Sequence, residues 1–494
     1  MHWPTTSWQL ASSRALPRPP RADTSKLIQP RRNLAGAGSV IGRHRIMPRT
    51  RLLIFVLGFP AVLVAGLFLA PKIVPHSTEE PHYSASDLPH AGYGPVSQGD
   101  AETKVRERIE YATELAAERP DQWLPKQVLA RALRSRYLVD GNADALRDAG
   151  RQLALARSVA DDGAGPALVS AEWSMEVHDL DGAEAGLAAY DKSVVKLSTG
   201  EQATALELRG DINFYRGDIS AAERLYDAAR KIENGPSVQV RLAVLEKSRG
   251  NFDAAITHLV NAARLDSLRT PQTLANIALQ AGAIEFARGR YDVAQKWYRK
   301  ADELFADYWK TKLYLGEAAL VAGNTDQAAA MFENVAVDTG DPQAMDALAM
   351  LYRRSGDRQR SKAWAARASA EWEKRVGDIP SAYVAHAAEH ELAFGDPARA
   401  LSYARKNATT RPNGEAYLLL ARALSANGQD SAAMRQLMRA ERAGWKSARL
   451  YVEIAQLSAA LGDEEHAAEA RDMALKLNPQ IYSPEATLIW FAHG

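Results

Sequence analysis

Small and apolar residues recur at fixed distances along most of the chain, and this pattern predicts stacked helical hairpins. Eight glycines follow one another at steps of 33, 39, 34, 33, 39, 33 and 34 residues. Each has a glycine or alanine seven positions before it and an alanine or serine five positions after it. A period near 34 is typical of helix–turn–helix repeats, and the small side chains would let the two helices approach closely. The eight glycines are Gly217, Gly250, Gly289, Gly323, Gly356, Gly395, Gly428 and Gly462.

Larger side chains alternate with these small ones and predict the core between the helices. Nine positions after a turn glycine stand Tyr226, Leu259, Tyr298, Phe332 and Leu437. Each glycine falls where the chain must reverse, and glycine accepts the positive φ that ends a helix. A coiled coil would need sustained heptads with two apolar positions, and the sequence has none. One hairpin cannot bury its apolar face alone, so neighbouring hairpins must stack.

This repeat resembles the tetratricopeptide repeat over about residues 200–480. The unit that matches it best contains Gly316, Ala319, Gly323, Ala328 and Phe332. The resemblance implies an all-α fold, a right-handed α-solenoid whose concave groove binds peptides or protein partners. The first helix of each hairpin would line that groove. At the phase six positions before each turn glycine, the predicted partner-binding residues are Asp211, Val244, Ala283, Glu317, Met350, Glu389, Arg422 and Gln456.

The predicted array has three parts. Residues 201–480 hold eight repeats. Residues 101–200 are helical but irregular, and two degenerate hairpins are expected to turn near Gly141 and Asp179. Residues 481–494 end in apolar side chains, which we expect to cap the last hydrophobic face, because terminal repeats are atypical. A docking tail for a partner is the alternative for that segment.

An uncharged apolar segment precedes the array. Residues 52–70 would span about 28 Å as a helix, close to the thickness of a membrane's hydrocarbon core. Four arginines stand just before this segment and only Lys72 just after it, which predicts a cytoplasmic N-terminus and periplasmic repeats. A cleaved signal peptide is the alternative. A cut after Ala70 would place Phe68 at the −3 position, where small residues are preferred, so an uncleaved anchor in a bacterial inner membrane is favoured.

The regions on either side of this transmembrane signal-anchor are polar. Residues 1–51 form a basic leader without apolar periodicity, and we expect it to be unstructured. Met47 directly precedes a sequence with the form of an export signal, so we expect translation to begin there and residues 1–46 to be missing from the native protein. Residues 71–100 are rich in proline and glycine and predict an extended linker.

One short motif points to a different class of function. His386 and His390 are four residues apart, and Glu389 lies between them. On a helix both imidazoles would project from one face, as in zinc hydrolases where a glutamate acts as general base. The sequence offers no third ligand at a recognisable spacing. A polar face of a repeat helix is the competing interpretation, and it predicts no metal.

Charge and cysteine content restrict the function further. Residues 1–51 carry ten Lys or Arg and one acidic residue, whereas the other residues carry 51 basic and 59 acidic ones, a net charge of −8. That acidic balance argues against nucleic-acid binding. With no cysteine, the chain has no disulfide, thiolate metal site or cysteine nucleophile. The sequence therefore predicts no enzyme and no cofactor. It predicts a membrane-anchored scaffold for an envelope polysaccharide or protein export complex. An adaptor or chaperone for a membrane enzyme is the alternative, and a zinc hydrolase at His386, Glu389 and His390 a remote one.

Overall fold

The computed structural model describes residues 82–194 and 198–488, which form 21 α-helices. The predicted all-α fold of consecutive stacked hairpins is confirmed in this part of the chain. The helices are α1 (Gln98–Glu118), α2 (Trp123–Asp140), α3 (Ala143–Ser158), α4 (Ala167–Glu176), α5 (Leu180–Tyr190), α6 (Thr199–Tyr215), α7 (Ile219–Ile232), α8 (Pro236–Ser248), α9 (Phe252–Leu265), α10 (Pro271–Ala287), α11 (Tyr291–Leu304), α12 (Trp309–Val321), α13 (Thr325–Asp338), α14 (Pro342–Arg354), α15 (Arg358–Asp378), α16 (Pro380–Phe394), α17 (Pro397–Thr410), α18 (Gly414–Ser425), α19 (Asp430–Arg442), α20 (Ala448–Ala460) and α21 (Glu464–Leu477).

Consecutive helices from α2 onwards pair into hairpins, and each hairpin packs on the next. The pairs run from α2–α3 to α20–α21, while α1 packs on α2. Seven of the eight periodic glycines occupy the turn within a hairpin with φ between +70° and +83°, a region in which other residues are strained. The first hairpin, α2–α3, turns at Gly141, and α4–α5 turns at His178 and Asp179.

Gly395 departs from the expected turn conformation. Its φ of −116° and ψ of −134° are not left-handed. The Glu391 side chain folds back over this turn, where Oε2 accepts a hydrogen bond from the backbone N–H of Asp396 at 2.8 Å. A Cβ on residue 395 would overlap the Glu391 carboxylate. A larger residue here would displace the Glu391 side chain from the turn, so glycine at this position permits that contact and does not serve a positive φ.

Close approach of the two helices in a hairpin explains the small residues of the repeat. A Cβ on Gly282 of α10 would overlap the ring of Tyr298 on α11, and a Cβ on Gly316 of α12 would overlap the ring of Phe332 on α13. Both rings are fully buried, as is Ala294 on the face of α11 that contributes to the same core. Small residues on one helix thus make room for a large ring from the other.

The array also contacts itself over long sequence distances. The backbone N–H of Lys446 donates to the carbonyl oxygen of Ser248 at 2.8 Å. Asn478 Nδ2 donates to the carbonyl oxygen of Ala287 at 3.0 Å. The Phe214 and Trp445 rings lie 5.9 Å apart. Helices α6, α8 and α10 are thereby joined to the end of the array, so the later hairpins pack across the turns of the earlier ones.

The segment before α1 lies against the array. The backbone N–H of Gly92 donates to the carbonyl oxygen of Arg269 at 2.7 Å, and that of Ala306 to Val96 at 2.9 Å. Leu88 is buried in the core of α10 and α11. Residues 82–97, which fall within the predicted linker, therefore lie across these hairpins, and Ala85–Asp87 form a short 3₁₀ helix instead of an extended segment.

Several predicted segments fall outside the described residues: the basic leader 1–51, the apolar segment 52–70, the first part of the linker (71–81) and the end of the C-terminal cap (489–494). Among the helices that the structure does describe, none combines the length and the apolarity that crossing a membrane requires.

Candidate functional site

The eight predicted partner-binding residues occupy different environments. Asp211, Ala283 and Glu317 are buried in the described structure, and Gln456 is exposed. The remaining four are half-buried: Val244, Met350, Glu389 and Arg422. Residues at the same position of successive repeats thus do not form one continuous exposed surface. Charged and aromatic side chains instead line two concavities of the array.

The larger concavity, which we call the N-terminal groove, has a volume of about 730 Å³. It is lined by α2, α4, α6 and α8, the first helices of four consecutive hairpins, by the turn before α4 and by the end of α5. Its volume lies within the range of about 300–1,000 Å³ that is common for ligand pockets. The charged side chains on its walls carry both signs: Arg131, Arg134, Arg241, Glu172, Glu201, Glu207 and Glu233.

A buried ionic network forms the floor of this groove. Arg241 on α8 donates from Nε and Nη2 to the two carboxylate oxygens of Asp211 on α6, at 2.9 and 2.8 Å. Its Nη1 donates to Glu207 Oε2 at 3.1 Å. The hydroxyl of Tyr226 donates to Asp211 Oδ1 at 2.9 Å, and that of Ser237 to Glu207 Oε2 at 2.6 Å. Asp211 therefore holds two hairpins together and does not present its carboxylate to a ligand.

Tyr190 contributes a polar group to the wall of this groove. Its side chain is buried at the end of α5 and lines the groove. Its hydroxyl has no hydrogen-bond partner among the described residues. Burial, with a smaller contribution from Glu201, raises the pKa of this phenol to about 12, so it stays protonated and can donate to a ligand. A buried hydroxyl without a partner is costly, and a bound acceptor would relieve that cost.

The smaller concavity, which we call the C-terminal cavity, has a volume of about 90 Å³. It lies among α6, α16, α17, α18 and α20. Glu389 and Arg422, two of the predicted partner-binding residues, line it together. Tyr215 and Trp445 contribute aromatic walls, and Arg411 and Arg449 contribute two further guanidinium groups.

The histidine motif is part of the core of α14, α15 and α16. His390 Nδ1 lies 2.6 Å from Asp346 Oδ1, and Trp372 Nε1 donates to Asp346 Oδ2 at 2.8 Å. The His386 ring stacks on Trp372 with centroids 5.6 Å apart, and its Nδ1 lies 3.6 Å from Glu389 Oε2. Burial lowers the pKa of His386, which favours the neutral imidazole. No group of three or more potential ligands within the described ranges could hold a metal ion, so the geometry does not support the zinc hydrolase alternative.

Lys247 is a buried cation that the sequence does not single out. It lies on α8 with 6% of its surface exposed. Burial lowers its pKa to about 7, and the carboxylate of Glu415 opposes this shift only in part. The unfolded chain would keep a pKa near 10.4 at this position. Between these two values the unfolded state binds more protons than the folded state, so stability should rise with pH.

We therefore expect the Lys247→Met variant to lose a pH dependence that the native chain has. From pH 7 to pH 9 the native free energy of unfolding should rise by about 1 kcal/mol per pH unit relative to the variant. Urea unfolding at several pH values measures this slope. Lys231→Met, at an exposed position on α7, is the control and should keep the native slope. Equal slopes in the native chain and Lys247→Met would contradict the lowered pKa.

Comparisons with known proteins add little about function. No protein-family model matches this sequence, and no curated protein matches it. Among solved structures, MamA is 21% identical with a TM-score of 0.28, covering 34% of this chain and 96% of its own. PilF of Pseudomonas aeruginosa is 16% identical with a TM-score of 0.26, covering 44% and 96%. A tetratricopeptide repeat protein from Parabacteroides merdae is 16% identical with a TM-score of 0.30, covering 56% and 99%. At these values the likenesses carry no functional argument, and the fold assignment rests on the helices described above.

Proposed function

We propose that this chain is a membrane-anchored periplasmic scaffold of a bacterial envelope that binds an extended segment of a protein partner in the N-terminal groove. The observation that carries the proposal is the groove itself, which runs over the first helices of four consecutive hairpins. Stacked helical repeats generally serve as binding surfaces, because the first helices of successive hairpins present an extended concave face. The apolar segment 52–70 supports the anchor, and its arginine-rich flank supports the orientation.

The chemistry of the groove suits a peptide better than a polyanion or polycation. Its walls carry charges of both signs, together with hydroxyl and amide groups from Gln127, Ser135 and Thr204. The backbone of an extended peptide offers alternating donors and acceptors that such a surface can match. Arg241, Asp211 and Glu207 fix the floor in one arrangement, so the ligand meets a preformed site.

Site-specific photocrosslinking tests this proposal in the native membrane. A photoreactive amino acid would replace Thr204, which lies on the groove wall in α6, in the full-length chain. We expect one dominant adduct with an envelope protein, because a partner segment seated in the groove lies within reach of this position. Mass spectrometry of the adduct identifies the partner. A polymer synthase or export component would favour the export scaffold, and a membrane enzyme outside such a complex would favour the adaptor.

The matched control places the same photoreactive residue at Arg224, an exposed position on α7. That position lies on the second helix of the same hairpin and should give no such adduct. A second test adds a synthetic peptide covering the crosslinked segment, which should compete for the adduct at Thr204. Equal labelling at both positions, or no competition by the peptide, would overturn the proposal.

A further inference from the structure

Several N–H donors of the arginine side chains in the C-terminal cavity form no hydrogen bond with a described residue. Arg411 has 7% of its surface exposed, and its Nε and Nη2 both donate to the single oxygen Asn407 Oδ1. Within the described part of the chain, no carboxylate lies within 4.0 Å of Arg411 or of Arg449, as an ion pair would require. A guanidinium has five N–H donors, so both side chains keep donors that can serve a ligand.

Two of the three carboxylates that line the cavity have a basic partner on the same wall. Glu453 pairs with Arg422, whose Nε lies 3.5 Å from Glu453 Oε1. Glu389 Oε2 lies 3.6 Å from His386 Nδ1. Glu415 also lines the cavity, but it forms no ion pair within 4.0 Å with any described residue. The walls therefore hold three guanidinium groups, of which only Arg422 has a carboxylate in contact.

The pKa values of Arg411 and Arg449 are both lowered, as expected for guanidinium groups without a carboxylate in contact. Burial lowers the pKa of Arg411 to about 10, with only partial compensation from Tyr215 and Glu415. Arg449 is half-buried, and desolvation lowers its pKa. The positive charge of Arg422 lowers it further, while the carboxylates of Glu389, Glu453 and Glu317 oppose this shift without cancelling it. Buried guanidinium groups are normally paired, because an uncompensated charge in a low-dielectric site is unfavourable. The site would be stabilised by a ligand that brings negative charge and acceptor oxygens.

We propose that the C-terminal cavity binds a small oxyanion, a carboxylate or a phosphate, through the guanidinium groups of Arg411 and Arg449. Planar guanidinium groups match the geometry of carboxylate and phosphate oxygens, often in bidentate pairs. The cavity volume of about 90 Å³ admits a group of that size and several waters, but no large ligand. The indole ring of Trp445 would border the oxyanion on an apolar side. The oxyanion is a free small ion or the carboxylate at the end of a peptide chain, and the site is separate from the N-terminal groove.

Thermal unfolding and calorimetry on the full-length protein test this inference. The probes are sodium phosphate, sodium acetate and a trialanine peptide with a free carboxylate. Sodium chloride at equal ionic strength and the same peptide as its C-terminal amide are the controls. We expect at least one probe to raise the unfolding midpoint saturably, while both controls have no effect. Saturation by phosphate or acetate indicates a free oxyanion, and saturation by the free-carboxylate peptide alone indicates a chain end.

Variants connect the binding to the cavity. Arg449→Gln should weaken the binding at least tenfold, whereas Arg442→Gln, at an exposed position on α19, should leave it unchanged. Because Arg449→Gln could also disturb packing, Ala385→Leu serves as a second variant, which fills the cavity without removing a charge. Circular dichroism verifies that each variant is folded. Binding that survives both variants, equal effects of chloride or the amide peptide, or no effect of any probe would overturn the proposal.

Discussion

Replacing Ala294 by arginine is expected to destabilise the centre of the array by about 2–4 kcal/mol or more. Ala294 is fully buried in the core shared by α10 and α11, where Tyr298 already fills the space above Gly282. An arginine there must push the two helices apart and also bury a charge without a partner. Because each repeat is stabilised by its neighbours, loss of this hairpin should weaken the contacts on both sides.

Thermal and urea unfolding measure this effect, with Ala330→Arg as the matched control. Ala330 lies on the exposed face of α13, so the same side chain added there should shift stability by less than about 0.5 kcal/mol. Both curves should be read for more than one transition, because long repeat arrays can lose cooperativity. An unchanged unfolding midpoint in Ala294→Arg would mean that the position five after each glycine does not face the helix interface.

The steric part of this fold could be predicted from sequence because it is local. Gly282 and Tyr298 must fit within one hairpin, so their identities are fixed by residues less than twenty positions away and recur with the repeat. Gly289 likewise meets a requirement of its own turn. A single sequence therefore reveals the hairpins, their order and their packing phases.

The long-range contacts could not be predicted in this way. Whether Asn478 reaches Ala287, or Lys446 reaches Ser248, depends on small rotations accumulated over several hairpin interfaces. The residues within one repeat do not determine the total rotation over several hairpins. The C-terminal cavity depends on the same winding, because Tyr215 of α6 meets helices α16 to α20 there. The sequence identified Glu389 and Arg422 by phase, but not the cavity that brings them together with Arg411 and Arg449.

The burial of a predicted groove position depends on the next hairpin as well as on its own. Asp211 has the expected phase, but Arg241 from the following hairpin covers it and uses both of its carboxylate oxygens. Charge complementarity between these two helices would have been the only sequence signal, and the two residues are thirty positions apart in the sequence, too far for a pattern within one helix to reveal it. Similarly, Asp346 contacts the His390 imidazole and Trp372 stacks on the His386 ring. The motif alone would leave both imidazoles available to a metal.

Arg241→Met is expected to cost about 3–5 kcal/mol, because it leaves two buried carboxylates without their cation. Glu207 and Asp211 are both buried, and Arg241 is the cation that bonds each of them. Burial raises the pKa of Glu207 even with Arg241 present. In the variant this carboxyl should take up a proton in the folded state that it lacks in the unfolded state. The loss of stability should therefore be smaller at pH 5 than at pH 8.

Urea unfolding at the two pH values checks this sign, and two further variants separate the causes. Adding Glu207→Gln and Asp211→Asn to Arg241→Met removes the uncompensated charges and should recover part of the loss. Arg249→Met, on the C-terminal side of the same helix, breaks the more exposed pair with Glu223 and should cost less than about 1 kcal/mol.

If Arg241→Met costs no more than Arg249→Met, the network does not organise the groove floor. If it costs the expected amount while the Thr204 adduct persists in membranes, the network stabilises the hairpins without shaping the partner site. Loss of the adduct in a variant that remains folded would show that the same ionic contacts hold α6 against α8 and keep the groove ready for its partner.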